Sequence, residues 1–195
     1  MTLGRPRAFD PDRALDRALA LFWRKGYEGA SLSELTQAMG INRPSLYAAF
    51  GNKEALFRRA LDRYMERPAA ALRRALAAPT ARQVIERLLM DAVDRLTDPA
   101  NPPGCLAVHG ALACGGDADP IRRELIARRQ DTENAIRARL ERARAEGELK
   151  AGIDPAALAR YVAALTQGMA VQAAGGASRD DLRQIAETAL GGLAV

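Results

Sequence analysis

The chain reads at helical period almost throughout. Leu15, Ala18, Leu19 and Phe22 fall on one stripe at spacings of three and four, which marks an amphipathic helix. Asp10 stands before it as an N-cap, Pro11 takes its first position, and Gly26 is expected to end it. Ser31 and Glu34 form an S-x-x-E capping box for a short second helix through Met39, and Gly40 supplies the turn after it. Asn42 caps a third helix that Gly51 closes. Asn52 opens a fourth, with Leu56, Phe57, Ala60, Leu61 and Tyr64 inward, and Pro68 is expected to kink or end it.

The second part of the chain follows the same rule. Thr80 and Gln83 repeat the capping-box pattern ahead of a wide stripe of Val84, Ile85, Leu88, Leu89, Ala92, Val93 and Leu96. "DPANPPG" is a loop, and "CLAVHGALAC", apolar nearly all round, is a short buried helix. In "GGDADP", Asp117 or Asp119 is the expected N-cap before Pro120, which opens a long charged helix ending near Gly147. Asp154 and Pro155 start another that runs to Gly175-Gly176, and Ser178 caps the last, with Leu182, Ile185 and Leu190. No segment alternates at period two. The expected class is therefore all-α with about nine helices.

The third helix is poorly built for a core. Leu46 and Phe50 are its only large apolar side chains, four apart and on one face. A capped helix, a glycine turn and a second capped helix with a polar face make a helix-turn-helix, whose second helix fits the major groove. In that reading Leu46 and Phe50 fasten the helix while Arg43, Ser45 and Tyr47 face DNA. Arg43 suits guanine edges or phosphate, the hydroxyls of Ser45 and Tyr47 suit phosphate, and Ala48 can approach a thymine methyl. Asn42 and Pro44 complete that face at the start of the helix. The start of the second helix, Ser31 to Ser33, offers free backbone N–H groups for a phosphate. Lys53 is placed for a backbone phosphate, and Arg5 and Arg7 form an N-terminal arm suited to a minor groove. The competing reading is plain packing, since helix-turn-helix geometry also serves that purpose.

Charge favours the DNA reading. The net charge is +5, and residues 1–64 hold 11 Lys+Arg against 7 Asp+Glu while residues 65–195 hold 18 against 17, so the excess sits in the first third. The aromatic residues divide at the same place: eight of nine lie at or before Tyr64, enough bulk to give a small unit its own core. A small domain joined to a larger one suits the length of 195 residues.

The stretch "ALALFWRKGYEGASLSELTQAMGINRPSLYAAFGNKEALFRRALDRY" resembles the DNA-binding domain of the tetracycline-repressor (TetR-like) family of transcriptional regulators. The matching marks are Phe22, Gly26, Tyr27, Ser31, the Gly40-Ile41 turn, Leu46-Tyr47, Phe50, Lys53-Glu54 and Leu56. The likeness covers roughly residues 7–67. Pro44 stands where the family usually has glycine, and Ala48-Ala49 where bulkier polar or aromatic residues are common, so its base preferences do not carry over. The resemblance implies an N-terminal three-helix domain over 7–67, and a helical effector-binding and dimerisation domain over 68–195. It implies a cytoplasmic homodimer without a cofactor that acts as a repressor on a near-palindromic operator of double-stranded DNA. A small-molecule effector would release it by changing the spacing of two DNA-binding heads.

The residues of the larger half support parts of that picture. Leu158, Tyr161, Val162, Leu165 and Met169 form one stripe amid small residues, and with Leu182 and Ile185 they are the expected dimer face; an internal core helix is the alternative. Met90, Cys105, His109 and Tyr161 are the expected lining of a mainly aliphatic pocket. Cys105 and His109, four apart, read first as a small buried hydrophobe beside a core histidine. The alternative is a thiol, activated by an imidazolium, that senses electrophiles or oxidants. A further alternative for the whole chain is a ligand-free DNA-architectural protein.

Other classes find little support. One histidine and two cysteines nine apart do not assemble a metal site. The chain has no G-x-S-x-G, P-loop or H-E-x-x-H motif, so an enzyme is not expected. Two cysteines suit a reducing cytosol. The uncharged run Tyr161–Ser178 carries Thr166, Gln167, Gln172 and three glycines, so it reads as a buried helix and not a membrane span. The arginine-rich helix 120–146 reads as a solvated face, with Glu124–Arg128 and Glu133–Arg137 as favourable pairs.

Overall fold

The computed structural model describes residues 9–112 and 118–193. Arg5, Arg7, Cys114 and Asp117 lie outside them. The described residues form nine helices and no strand: α1 (Pro11–Gly29), α2 (Leu32–Met39), α3 (Arg43–Phe50), α4 (Lys53–Leu76), α5 (Ala81–Leu96), α6 (Leu106–Leu112), α7 (Asp119–Ala145), α8 (Pro155–Ala174) and α9 (Arg179–Gly192). No helix among them is long and apolar enough to cross a membrane.

Local chemistry sets most helix starts. Asp10, Asn42, Asn52, Thr80 and Asp154 each accept first-turn backbone N–H groups, and Ser31 and Ser178 do so within capping boxes. Three expectations change. Gly26, at φ 71°, breaks the regular helix of α1, but helical turns resume to Gly29. Pro68 neither ends nor interrupts α4, which runs through it to Leu76. Proline's fixed φ is itself helical, and the hydrogen bond it lacks is one of many along a well-packed 24-residue helix. The α7 helix begins at Asp119 with Ala118 before it and no side-chain cap. Asp119 instead lies inside the first turn, ion-paired with Arg122 and Arg123, which holds its carboxyl below the usual range.

Two hydrophobic cores result. The first gathers Phe22, Leu35, Leu46, Phe50, Phe57 and Leu61 from α1–α4. Its rings meet edge-on, Phe22 with Phe57 at 5.0 Å and Tyr27 with Phe57 at 5.3 Å. Leu106 and Ala107 of α6 and Ile121 and Leu125 of α7 complete that core, so the small head does not close by itself. The second core packs α5, α7, α8 and α9 through Leu89, Ile136, Leu140, Val162, Met169 and Leu182. The boundary expected at 67/68 falls inside α4, whose first half belongs to the head while Leu72 and Leu76 pack on the second core.

Candidate nucleic-acid interface and internal cavity

The α2–turn–α3 unit is built from caps inward. Gly40 adopts the left-handed conformation (φ 71°, ψ 31°), which a side chain rarely tolerates. Its N–H and that of Ile41 return to the Gln37 and Thr36 carbonyls at 3.2 and 3.1 Å, so the turn is tight. Asn42 Oδ1 accepts from the Ser45 N–H at 2.8 Å and starts α3. Leu46 is fully buried and Phe50 nearly so. The Arg59 guanidinium lies 4.9 Å from the Phe50 ring centre and donates to the Ala49 carbonyl at 3.0 Å, tying the end of α3 to α4.

The opposite side of α3 is open. Arg43, Pro44, Tyr47 and Ala48 are exposed, and Ser45 is half-buried. Tyr47 is 49% exposed among the described residues, unusual for so large a ring. Three basic side chains of the head are committed to carboxylates: Lys25 to Glu34, Arg58 to Glu54 and Glu124, Arg63 to Asp12 and Asp16. Arg43 makes no ion pair among the described residues.

Three expected contacts are altered by the geometry. The Ser31 N–H donates to Glu34 Oε2 at 3.0 Å, and its hydroxyl serves the cap, so Ser31 has little left for a phosphate. The N–H groups of Leu32 and Ser33 remain. Glu34 itself is held ionised to about pH 2, first by Lys25 and then by Ser31, so a carboxylate occupies part of this helix start. Asn42 gives its side-chain oxygen to the α3 cap. Lys53 is half-buried with Nζ 4.6 Å from the Tyr27 ring centre; burial lowers its pKa, opposed by Glu28. It stands at the first residue of α4, beside the exposed face, on a rigid support.

The larger half holds a cavity of about 340 Å³ among α4, α5, α6, α7 and α8. Cys105 borders it, as expected; Met90, His109 and Tyr161 do not. Met90 packs on the second core, and Tyr161 lies on the outer surface at 47% exposure. The His109 ring packs over the Gly104 backbone, where a Cβ would collide with it. Burial lowers the His109 pKa, which disfavours the imidazolium that the thiol-sensor alternative needs beside Cys105. Sequence reading missed Tyr64, Arg95 and Arg129 on the cavity wall. Tyr64 Oη donates to Cys105 Sγ at 3.1 Å, and burial pushes its pKa well up.

The expected dimer face also needs revision. Val162, Met169 and Leu182 are fully or almost fully buried in the chain's own core and cannot meet a second copy. Leu158 is buried too, though its edge reaches the surface groove between α8 and α9. Tyr161, Leu165 and Ile185 border that groove from outside, and Val171 on α8 is 47% exposed. The described residues contain no group of three His, Cys, Asp or Glu able to hold a metal ion.

Comparison with known proteins places this geometry in context. Residues 14–60 match the family model described as bacterial regulatory proteins, tetR family, and residues 79–189 match the tetracyclin repressor-like C-terminal domain. The HTH-type transcriptional repressor ComR of Escherichia coli (strain K12) is 38% identical over 191 residues, covering 96% of this chain and 90% of ComR. YezE of Bacillus subtilis (strain 168), an HTH-type transcriptional regulator, is 34% identical over 162 residues, 82% of this chain and 84% of its own. Among solved structures, a cysteine-substituted variant of the TetR family transcriptional regulator CifR, complexed with 26-bp double-strand operator DNA, is 44% identical with a TM-score of 0.92. That match covers 97% of this chain and 99% of the other.

Proposed function

The chain belongs to the tetR family of bacterial regulatory proteins, and from that premise we propose that it is a homodimeric, cytoplasmic repressor released from operator DNA by a small molecule. The observation that carries the DNA part is the open side of α3. Arg43 and Tyr47 stand exposed on a helix whose only large apolar side chains are turned inward. A helix held this way presents its outer residues to a major groove. Arg43 supplies base or phosphate contacts, Tyr47 and Ser45 hydroxyls, Ala48 and Pro44 close apolar approach, and Lys53 and Ser33 phosphate contacts on either side. Arg5 and Arg7 supply the arm. The likeness to CifR, solved on its operator, supports the same assignment.

The dimer part rests on the outer faces of α8 and α9. Tyr161, Leu165, Val171 and Ile185 give this surface an apolar character that water does not favour, and pairing with a second copy makes a four-helix interface. Two heads then read half-sites about one helical turn or more apart. The effector part rests on the cavity at residues 64–72, 88–96 and 105–108, which adjoins the head through α4 and α6. A protein that acted only by shaping DNA has no use for that cavity.

The test is a gel shift with duplexes from the DNA flanking the coding sequence. The parent chain should retard a fragment containing an inverted repeat, and Arg43→Ala and Lys53→Ala should retard it less. Equal retardation by all three refutes the assignment of this face.

A further inference from the structure

The cavity has two unlike ends. The α4 and α5 helices are joined by residues 77–80 and run antiparallel, so Leu72 and Leu88 sit near the turn while Tyr64 and Arg95 lie at the far end. Near the turn the lining is aliphatic, with Ile136 added from α7. At the far end Tyr64, Arg95 and Arg129 gather about residues 105–107. Tyr64 Oη donates to Cys105 Sγ at 3.1 Å, and Arg129 Nη1 donates to the Ala107 carbonyl at 2.8 Å. Arg95 is close enough for its charge to oppose the effect of burial on the Tyr64 hydroxyl.

The arginines here differ from their neighbours. Arg58, Arg63 and Arg128 are each neutralised by two carboxylates. Arg95 and Arg129 have no carboxylate oxygen within 4.0 Å among the described residues, although both are half-buried. A guanidinium cannot shed its proton, so two fixed positive charges border a largely apolar chamber without an ion-pair partner among the described residues. Two carboxylates also reach the wall. Asp131 is exposed to solvent, and Asp91 lies one turn of α5 nearer the aliphatic end, out of ion-pair range of Arg95.

We propose that the effector is a small aliphatic monocarboxylate whose carboxylate seats between Arg95 and Arg129 and whose tail points toward Leu72, Leu88 and Ile136. This deepens the ligand-responsive reading and rests on it for the consequence, though not for the binding. Asp91, midway along, repels a second anionic group and so excludes dicarboxylates of similar length. The Tyr64 hydroxyl now donates to a thiol, a weak acceptor, and a carboxylate is a far stronger one. Drawing the phenol oxygen toward the ligand would shift a ring that packs edge-on against Trp23 of α1 at 4.7 Å. The ligand thereby acts on the head through one side chain.

The test is calorimetric titration of the DNA-free full chain with hexanoate, hexanol, hexylamine and adipate. Hexanoate should bind at least about tenfold tighter than each of the others, the usual value of charge-assisted hydrogen bonds. Arg95→Gln and Arg129→Gln should each weaken hexanoate by about tenfold and leave hexanol unchanged. Tyr64→Phe, which keeps the ring on Trp23, should weaken hexanoate less than either. Circular dichroism checks each variant, and the four-ligand series on the parent chain decides the matter should a variant not fold. No heat from hexanoate, or equal binding of the alcohol, amine or diacid, overturns the site. Hexanoate binding with unchanged operator affinity upholds the site and overturns its role as the effector chamber of a repressor.

Discussion

Arg43→Ala and Leu46→Ala, three residues apart on α3, should fail in opposite ways. Arg43 is exposed and without an ion pair, so its removal should alter stability by less than about 0.5 kcal/mol. Leu46 is fully buried in the head core, and truncation removes its transfer energy and leaves a void, costing about 2–5 kcal/mol. For a chain of 195 residues, at about 2–4 °C per kcal/mol, that is a fall in Tm of about 4–20 °C. On DNA the order reverses. A dimer loses two Arg43 side chains; as phosphate contacts they carry about 0.9 each in the salt slope, so about 1.8 in all. Between about 50 and 200 mM salt, affinity should then fall about twelvefold less steeply than in the parent chain. If Arg43 reads a guanine edge instead, discrimination between matched and mismatched half-sites should shrink by about 1–3 kcal/mol. Anisotropy titrations with a labelled operator, run beside thermal melts, measure both. An Arg43→Ala chain with parental affinity, slope and discrimination refutes the groove-facing assignment. One that melts many degrees lower shows instead that Arg43 belongs to the packing.

Two other expectations follow from the same geometry. Lys25 and then Ser31 lower the Glu34 carboxyl in the folded chain from the ordinary 4.5 to about 2, so its contribution to the α2 cap is complete above about pH 4.5 and is lost as pH falls toward 2. The Tm difference between the parent chain and Glu34→Gln, followed by melts from neutral to acid pH, should therefore shrink through that window, and a pH-independent difference argues against the cap. Leu165→Asp on the outer face of α8 should convert a dimer to a folded monomer in analytical ultracentrifugation, whereas Val162→Asp, at 0% exposure, should unfold the body; a folded Leu165→Asp dimer refutes the α8–α9 interface.

What the sequence disclosed and what it hid divide by range. Caps are local: a side-chain oxygen and an N–H two or three residues on. Hence Asp10, Ser31, Asn42, Asn52, Thr80, Asp154 and Ser178 were all readable in advance. The faces of α3 were readable for a similar reason, since two large apolar residues against several polar ones leave one solution. The α8 helix offers no such contrast. It is apolar or small nearly all round, so periodicity finds a stripe but not which side of it is core. Tertiary packing turns Val162 and Met169 inward, leaves Tyr161 and Val171 exposed, and holds Leu165 half-buried at the edge of the core. Charge pairing shows the same limit. Glu124 meets Arg128 at 3.3 Å as spacing suggests, but Glu133 reaches across to Arg160 and Arg137 turns to Glu141.

The cavity was hidden because its chemistry is assembled from partners far apart in the chain. Tyr64 and Cys105 are 41 residues apart, and Arg129 and Ala107 are 22. In sequence Arg95 and Arg129 look like any solvated arginine of a charged helix; partial burial without an ion pair among the described residues sets them apart, and that is a property of the fold. Tyr64 shows why the arrangement matters. It was readable as a core residue of the head, and so it is, packed against Trp23. It is also cavity wall. Because α4 continues unbroken through Pro68, the same helix that carries Tyr64 carries Leu72 into the second core. Packed cores shift between discrete arrangements and do not deform by degrees. A ligand that moves Tyr64 must therefore repack the junction of α1, α4 and α6, and repacking there resets the angle at which α3 is offered to DNA.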